Sequence, residues 1–343
     1  MNPFFKPPYR QKQQEPRLLS WTSIALVILL PLLIGFGAGY WLRPTVEEAR
    51  LPPEEHVYIP PEMPPEEPVA EIPALSPPPP PEPSVEPAWQ RYAVKVNIDP
   101  KSPKIALLID DMGVDLKHSR EILDLPAPLT LAYLPYSHGL TRQSAQAHLR
   151  GHELMLHLPM QPLSADEYPG PRALLVSQSD EEIRQNLLFN LDRLSGYTGV
   201  NNHMGSRFTA DARRMRLVLE ILKQRGLFFL DSRTNGKSQA EKVAAELGMP
   251  HLGRDVFIDD DDTPEAIARQ LRAMEKIAKK HGQVIGIAHP RRATVPALRE
   301  WIPKMQAQGF AFVPISYIVA RKEKVAPSQP EITGAGVPDI PAR

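Results

Sequence analysis

Between about residues 95 and 322 the chain keeps breaking amphipathic segments with short, nearly unbroken apolar runs, and this alternation narrows the available folds more than any other feature. The runs are IALLI (105–109), LTLAYL (129–134), ELMLHL (153–158), the weaker GVNNH (199–203), LFFLD (227–231), DVFID (255–259), QVIGIAH (283–289) and FAFVPI (310–315). A strand with one wet face alternates apolar and polar residues, whereas a strand covered on both faces stays apolar. The gaps read as helices. Ser179, Asp180, Glu181 and Glu182 form a capping box ahead of Ile183, Leu187, Leu191 and Leu194 at helical spacing, with Gly196 as the stop. Thr263-Pro264-Glu265 opens another helix, with Ile267, Leu271 and Met274 on its inner face and Gly282 at its end. Strand and helix in alternation make βαβ units around a parallel sheet. Seven or eight strands favour a (β/α) barrel over an open doubly wound sheet.

The N-terminal part reads differently. Leu18 to Leu42 carry no charge, a length that matches the hydrocarbon core of a bilayer, with Trp21, Tyr40 and Trp41 as interfacial anchors. Lys6, Arg10, Lys12 and Arg17 precede the span and Glu47 and Glu48 follow it, so residues 1–17 are expected in the cytoplasm and everything after the anchor outside. A cleaved signal peptide is the competing reading, since GFGAG offers small residues near the end. Residues 43–94 are a Pro/Glu-rich tract that buries too little to fold and, at about 3.1 Å per residue, reaches on the order of 150 Å as a spacer. Residues 323–343 are expected to be a disordered tail of the same kind, leaving 95–322 as the folded domain. The implied location is the inner membrane, single-pass, with the domain on the periplasmic or extracytoplasmic side.

Forty basic and 40 acidic residues cancel, so bulk charge gives no reason to expect a nucleic-acid partner. The chain has no cysteine, which removes disulfides, thiolate metal sites and a thiol nucleophile. A metal would need imidazole and carboxylate. Ligands of parallel α/β folds bind at the carboxyl ends of the strands, and there stand Asp110 and Asp111, His157, His203, Asp231 and His289. Two neighbouring carboxylates repel unless a cation or a shared proton sits between them. His56, His118, His138, His148, His152, His251 and His281 are expected at the surface or in the spacer, and the acidic run Asp259 to Asp262 as a solvated lead-in to the Thr263 cap.

The stretches LLIDDMG, GHELMLHLPMQP, GVNNHMGSRFT, FLDSRT and IGIAHP, in that order, resemble the divergent branch of the NodB-like polysaccharide deacetylase superfamily over about 103 to 320. The resemblance implies a distorted (β/α) barrel that removes acetyl groups from N-acetylated sugars with a divalent metal. It makes Asp110 the catalytic base, Asp111 and His157 metal ligands and His289 the acid. The second metal histidine of the usual motif is Gln161 here. His203 is its natural replacement, because two histidines and one carboxylate with an open position make a catalytic zinc set. The usual arginine motif is absent; Arg207 stands nearest to it in order, and Asp231 is expected to orient either His289 or Arg207. The expectation is a hydrolase acting on an N-acetylated envelope glycan such as peptidoglycan, with zinc as the expected ion. Three rivals remain open: an inactive glycan-binding or envelope-organising module, a magnesium-holding phosphoryl-handling protein, and a structural tether.

Overall fold

The computed structural model describes residues 86–324. The apolar span 18–42, the spacer as far as residue 85 and the tail from 325 lie outside the described residues. Among the described residues no helix is long and apolar enough to cross a membrane.

A short helix, α1 (Ala88–Arg91), precedes β1 (Lys104–Met112), α2 (Leu116–Leu123), β2 (Thr130–Tyr133), α3 (Leu140–Leu149) and β3 (Glu153–Met160). Then follow α4 (Asp180–Leu191), β4 (Gly199–Met204), a 3-10 turn (Phe208–Ala210), α5 (Ala212–Gln224), β5 (Phe228–Asp231) and α6 (Ala240–Glu246). The chain continues through β6 (His251–Gly253), β7 (Val256–Phe257), α7 (Pro264–His281), β8 (Gln283–Ala288), α8 (Thr294–Ala307), β9 (Ala311–Phe312) and α9 (Ile315–Lys322). All strand pairings are parallel, in the order β6-β5-β4-β3-β2-β1-β8-β7, with β9 on the start of β1.

The two ends of that order, β6 and β7, are separated in the chain only by Arg254 and Asp255. Their stretch of backbone pairs with β5 at its start and with β8 at its end. A sheet whose two edges belong to one short segment must curl upon itself, so the architecture is a curled parallel α/β sheet, consistent with the expected distorted barrel. Each expected apolar run contains a strand. The three-residue β6 was not expected, being too short to show an apolar pattern. The run 310–315 yields only two strand residues before Pro314 starts α9.

Strand alternation divides the core in two. Ile105, Leu107 and Ile109 face the helices together with Leu131, Phe229 and Val200. Ala106, Leu108, Met155, Phe228, Leu230, Ile285 and Ile287 fill the inside of the curl, which α9 closes from below with Ile315, Ile318 and Val319. Complete burial of each large apolar side chain contributes roughly 1.5–3 kcal/mol. Gly199 is required inside, because a Cβ there would lie 2.6 Å from the Phe228 ring. The helix caps follow the sequence. Ser179 and Glu182 make the reciprocal capping box of α4, although the helix stops at Leu191, before Gly196, and Thr263 caps α7, which ends on left-handed Gly282.

Candidate metal centre and catalytic cleft

The first problem is how two adjacent residues of one strand reach the same cleft, since successive side chains of a strand point to opposite faces. Ile109 pairs with Leu131 and Met112 with Tyr133, so β1 has one residue more than β2 over this interval, a β-bulge. The extra residue is Asp111, at φ 55°. The left-handed region costs an ordinary side chain on the order of 1–3 kcal/mol, less for Asp, and such conformations gather at functional sites. Asp110 keeps its inward place in the alternation, the bulge turns Asp111 inward as well, and Met112 returns to the helix side.

Asp111 Oδ1 lies 3.3 Å from His157 Nε2 and 3.0 Å from His203 Nδ1, and the two ring nitrogens are 3.2 Å apart. Metal bonds of about 2.0–2.2 Å put neighbouring ligand atoms roughly 2.8–3.6 Å apart over octahedral to tetrahedral angles, and all three edges fall within that range. Asp111 Oδ1 is buried and, despite the two short approaches, has no hydrogen-bond partner of acceptable geometry. A buried carboxylate oxygen without a donor is costly; a cation among the three atoms removes the cost. Burial by itself would push the Asp111 carboxyl up, but His157 and His203 outweigh it and hold it well below the usual carboxylate range. The donor set therefore fits a divalent metal.

Asn201, on β4 beside His157, fixes which nitrogen of the ring is free. Its amide nitrogen donates to Asp110 at 2.9 and 3.0 Å and reaches Ser232 Oγ at 3.0 Å. Because an ionised carboxylate only accepts, the amide oxygen must face the other way, where it takes the Nδ1 hydrogen of His157 at 2.9 Å. That leaves Nε2 of His157 with its lone pair toward Asp111 and His203. This is how a ligand histidine is usually oriented, by a partner on its second nitrogen. Asp110 is 3 % exposed and His157 2 % exposed. Burial pushes the Asp110 carboxyl upward against the pull of His157, His289 and Asn201; burial also opposes charge on His157, but Asp110 and Asp111 prevail and raise it.

Just past β8, the strand paired with β1, His289 donates Nδ1–H to Asp259 Oδ1 at 2.9 Å and its main-chain N–H to Oδ2 at 2.8 Å, which Thr294 Oγ also reaches at 2.8 Å. Nε2 of His289 faces Asp111 Oδ2 at 3.9 Å. Burial acts to raise Asp259, and its bonds and attraction to His289 overcome this and lower it. Asp259 was expected in a solvated acidic run; it is wholly buried behind His289, tied to that residue and to Thr294, while Asp260, Asp261 and Asp262 remain exposed.

Asp231 and Arg207 do not join this group. Phe228 and Leu230 point inward, so Asp231 points outward, where it accepts from Arg233 N–H at 2.8 Å and Ser238 Oγ at 2.7 Å. It orients neither His289 nor Arg207. Arg207 is exposed and lies outside the cleft, with its main-chain N–H on Gln161 O at 3.1 Å. Gln161 turns its side chain to Val176 N–H at 2.7 Å, a structural bond that leaves His203 as the second imidazole. His152, expected at the surface, is buried between Leu129 N–H and Leu123 O, where it ties two loops. Arg254 and Arg291 line the cleft of about 540 Å³ and were not anticipated.

A family model for divergent polysaccharide deacetylases matches residues 107–319. An uncharacterized protein of Haemophilus influenzae is 36% identical over 230 residues, covering 67% of this chain and 81% of that protein. Protein YibQ of Escherichia coli K12 is 34% identical over 199 residues, 58% of this chain and 62% of that one. Among solved structures, the uncharacterized protein ATU2773 from Agrobacterium tumefaciens C58 superposes with a TM-score of 0.65 at 27% identity, over 68% of this chain and 95% of that one.

Proposed function

The chain belongs to the divergent polysaccharide deacetylase family, and on that premise we propose that it is a membrane-tethered, metal-dependent N-deacetylase of a cell-envelope glycan such as peptidoglycan. One observation carries the reading: Asp111, His157 and His203 present three ligand atoms 3.0–3.3 Å apart in a cleft that Asp110 and His289 also line. Nitrogen ligands argue for zinc over calcium or magnesium. The bound ion would supply electrophilic polarisation of the acetamide carbonyl and acidify water beside it.

The remaining work belongs to the chain. Asp110 accepts the proton of the attacking water; burial raises its basicity toward the operating pH while Asn201 keeps it oriented. His289, with Nδ1–H fixed on ionised Asp259, offers Nε2 to the cleft and protonates the departing amine. Asp259 supports the positive ring that delivers this proton, so acid and base, at the adjoining ends of β8 and β1, have separate supports.

Elemental analysis of the full chain in detergent tests the site. About one transition-metal ion per chain is expected, lost in Asp111→Ala, His157→Ala and His203→Ala, together with release of free amine from acetylated peptidoglycan strands by the wild type. Retained metal in all three variants refutes the ligand set. Bound metal with no amine release from any acetylated glycan supports the inactive glycan-binding module, the reading that the Gln161 departure favours. The tether rests on Leu18–Leu42; recovery of the full chain in the salt-washed soluble fraction refutes it.

A further inference from the structure

Arg254 and Arg291 both line the cleft, and both are fastened from behind. Arg254 donates Nε–H to Ser232 O at 2.7 Å and an Nη2 hydrogen to Arg233 O at 3.1 Å, with its guanidinium carbon 4.8 Å from the centre of the Phe257 ring. Arg291 donates Nη1–H to Asp259 O at 2.5 Å. Main-chain carbonyls and a ring fix these groups without neutralising them. Among the described residues neither arginine has a carboxylate within 4.0 Å, whereas Arg233, Arg213, Arg214, Arg216 and Arg225 each have one. Asp260, Asp110 and Asp231 act on Arg254 only from a distance.

A half-buried cation with no carboxylate in contact is expensive to keep. A guanidinium already held on one edge presents its remaining N–H groups as a preorganised fork, suited to the two oxygens of a carboxylate. From this we propose that Arg254 and Arg291 form an anion subsite beside the reacting centre, which selects a glycan carrying a carboxylate substituent over a neutral polymer of N-acetylglucosamine. The inference rests on reading the cleft as a glycan site, but not on turnover there. Arg254 and Arg291 are specificity residues on this view, separate from the pair that moves protons.

Calorimetric binding to the full chain in detergent tests it with three probes. They are a tetrasaccharide of alternating N-acetylglucosamine and N-acetylmuramic acid, the methyl ester of its lactyl carboxyls, and the N-acetylglucosamine tetramer. The free acid is expected to bind at least 10-fold more tightly than its ester, with an advantage that shrinks as salt is raised. Arg254→Met and Arg291→Gln should each erase most of this advantage while the affinity for the neutral tetramer stays within about 2-fold. Arginines that merely tie loops together would, when replaced, weaken all three probes alike, and that result overturns the proposal. Equal binding of acid and ester by the wild type also overturns it, without needing a variant to fold. Selective binding of the acid with no amine release would leave the subsite standing and remove the deacetylase reading instead.

Discussion

Replacing Asn201 with leucine, nearly its size and without hydrogen-bonding groups, is the sharpest test of how the centre is organised. Asn201 touches no expected ligand of the ion except through the Nδ1 hydrogen of His157 at 2.9 Å, and it is completely buried. The change removes the group that fixes the His157 tautomer and takes the amide donor from the Asp110 carboxylate and from Ser232. Outer partners of metal-bound histidines are typically worth 10–100-fold in affinity, about 1.4–2.8 kcal/mol. The lost bond to a buried charge belongs to the same range, roughly 1.5–3 kcal/mol. Asn201→Leu should therefore bind cobalt(II) or zinc(II) about 10–100-fold more weakly in competition with a chromophoric chelator at pH 7.5. Because the Asn201 bond is one of the influences that lower Asp110, the carboxyl should also move further upward, carrying the acid limb of the pH–rate profile with it. Asn201→Asp keeps an acceptor for His157 but sets an oxygen against Asp110, so it should spare metal affinity more than activity. An Asn201→Leu protein with native circular dichroism and metal affinity within 2-fold of wild type would refute the tautomer argument.

Two further outcomes follow from groups away from the ion. Glu153, at the start of β3, is buried inside the closed base, where it accepts from Thr130 Oγ and Ser316 N–H while its second oxygen has no partner. Burial pushes its carboxyl up from 4.5 to about 7; a folded value above the unfolded one means stability that is complete below about pH 4.5 and lost as pH rises through about 7. At about 1.36 kcal/mol per pH unit the gap is roughly 3 kcal/mol, so Glu153→Gln should flatten the difference between urea midpoints measured at pH 5 and pH 8. Identical pH slopes for the two proteins would exclude a raised Glu153. Asp259→Asn should lower kcat on the order of 100-fold through His289 with metal content unchanged; loss of the metal would show that Asp259 supports the centre as a whole.

The fold was legible where the sequence repeats one physical demand. Strands sealed on both faces are apolar from end to end, so β1, β3, β5 and β8 stand out, and Ser179 and Thr263 announce their helices because unsatisfied N–H groups need a side-chain oxygen. The site was legible in its histidines and its acidic pair, since such residues at apolar strand ends are unusual. What failed was orientation. Asp231 ends an apolar strand and Asp259 closely follows one, yet Asp231 turns to Ser238 and Asp259 to His289, and the bend after Phe257 that decides the second is not written in the strand alternation. Asn201 carried a faint signal: an amide two positions before His203 on a strand must share its face. Arg254 gave none, because its place comes from the bend between β6 and β7, which depends on pairing with two distant strands.

The bulge in β1 makes the acidic pair sensitive to chain length as well as to residue identity. Up to Ile109 the strand is locked by a continuous register with β8, from Lys104 opposite Gln283 to Ile109 opposite Ala288. Removing Met112 would restore plain alternation and turn Asp111 away to the helix side in its place, with the curled sheet still able to form. A one-codon deletion there could thus separate folding from chemistry more cleanly than any substitution, and kin that lost or gained a residue at this spot would share the architecture without sharing the reaction.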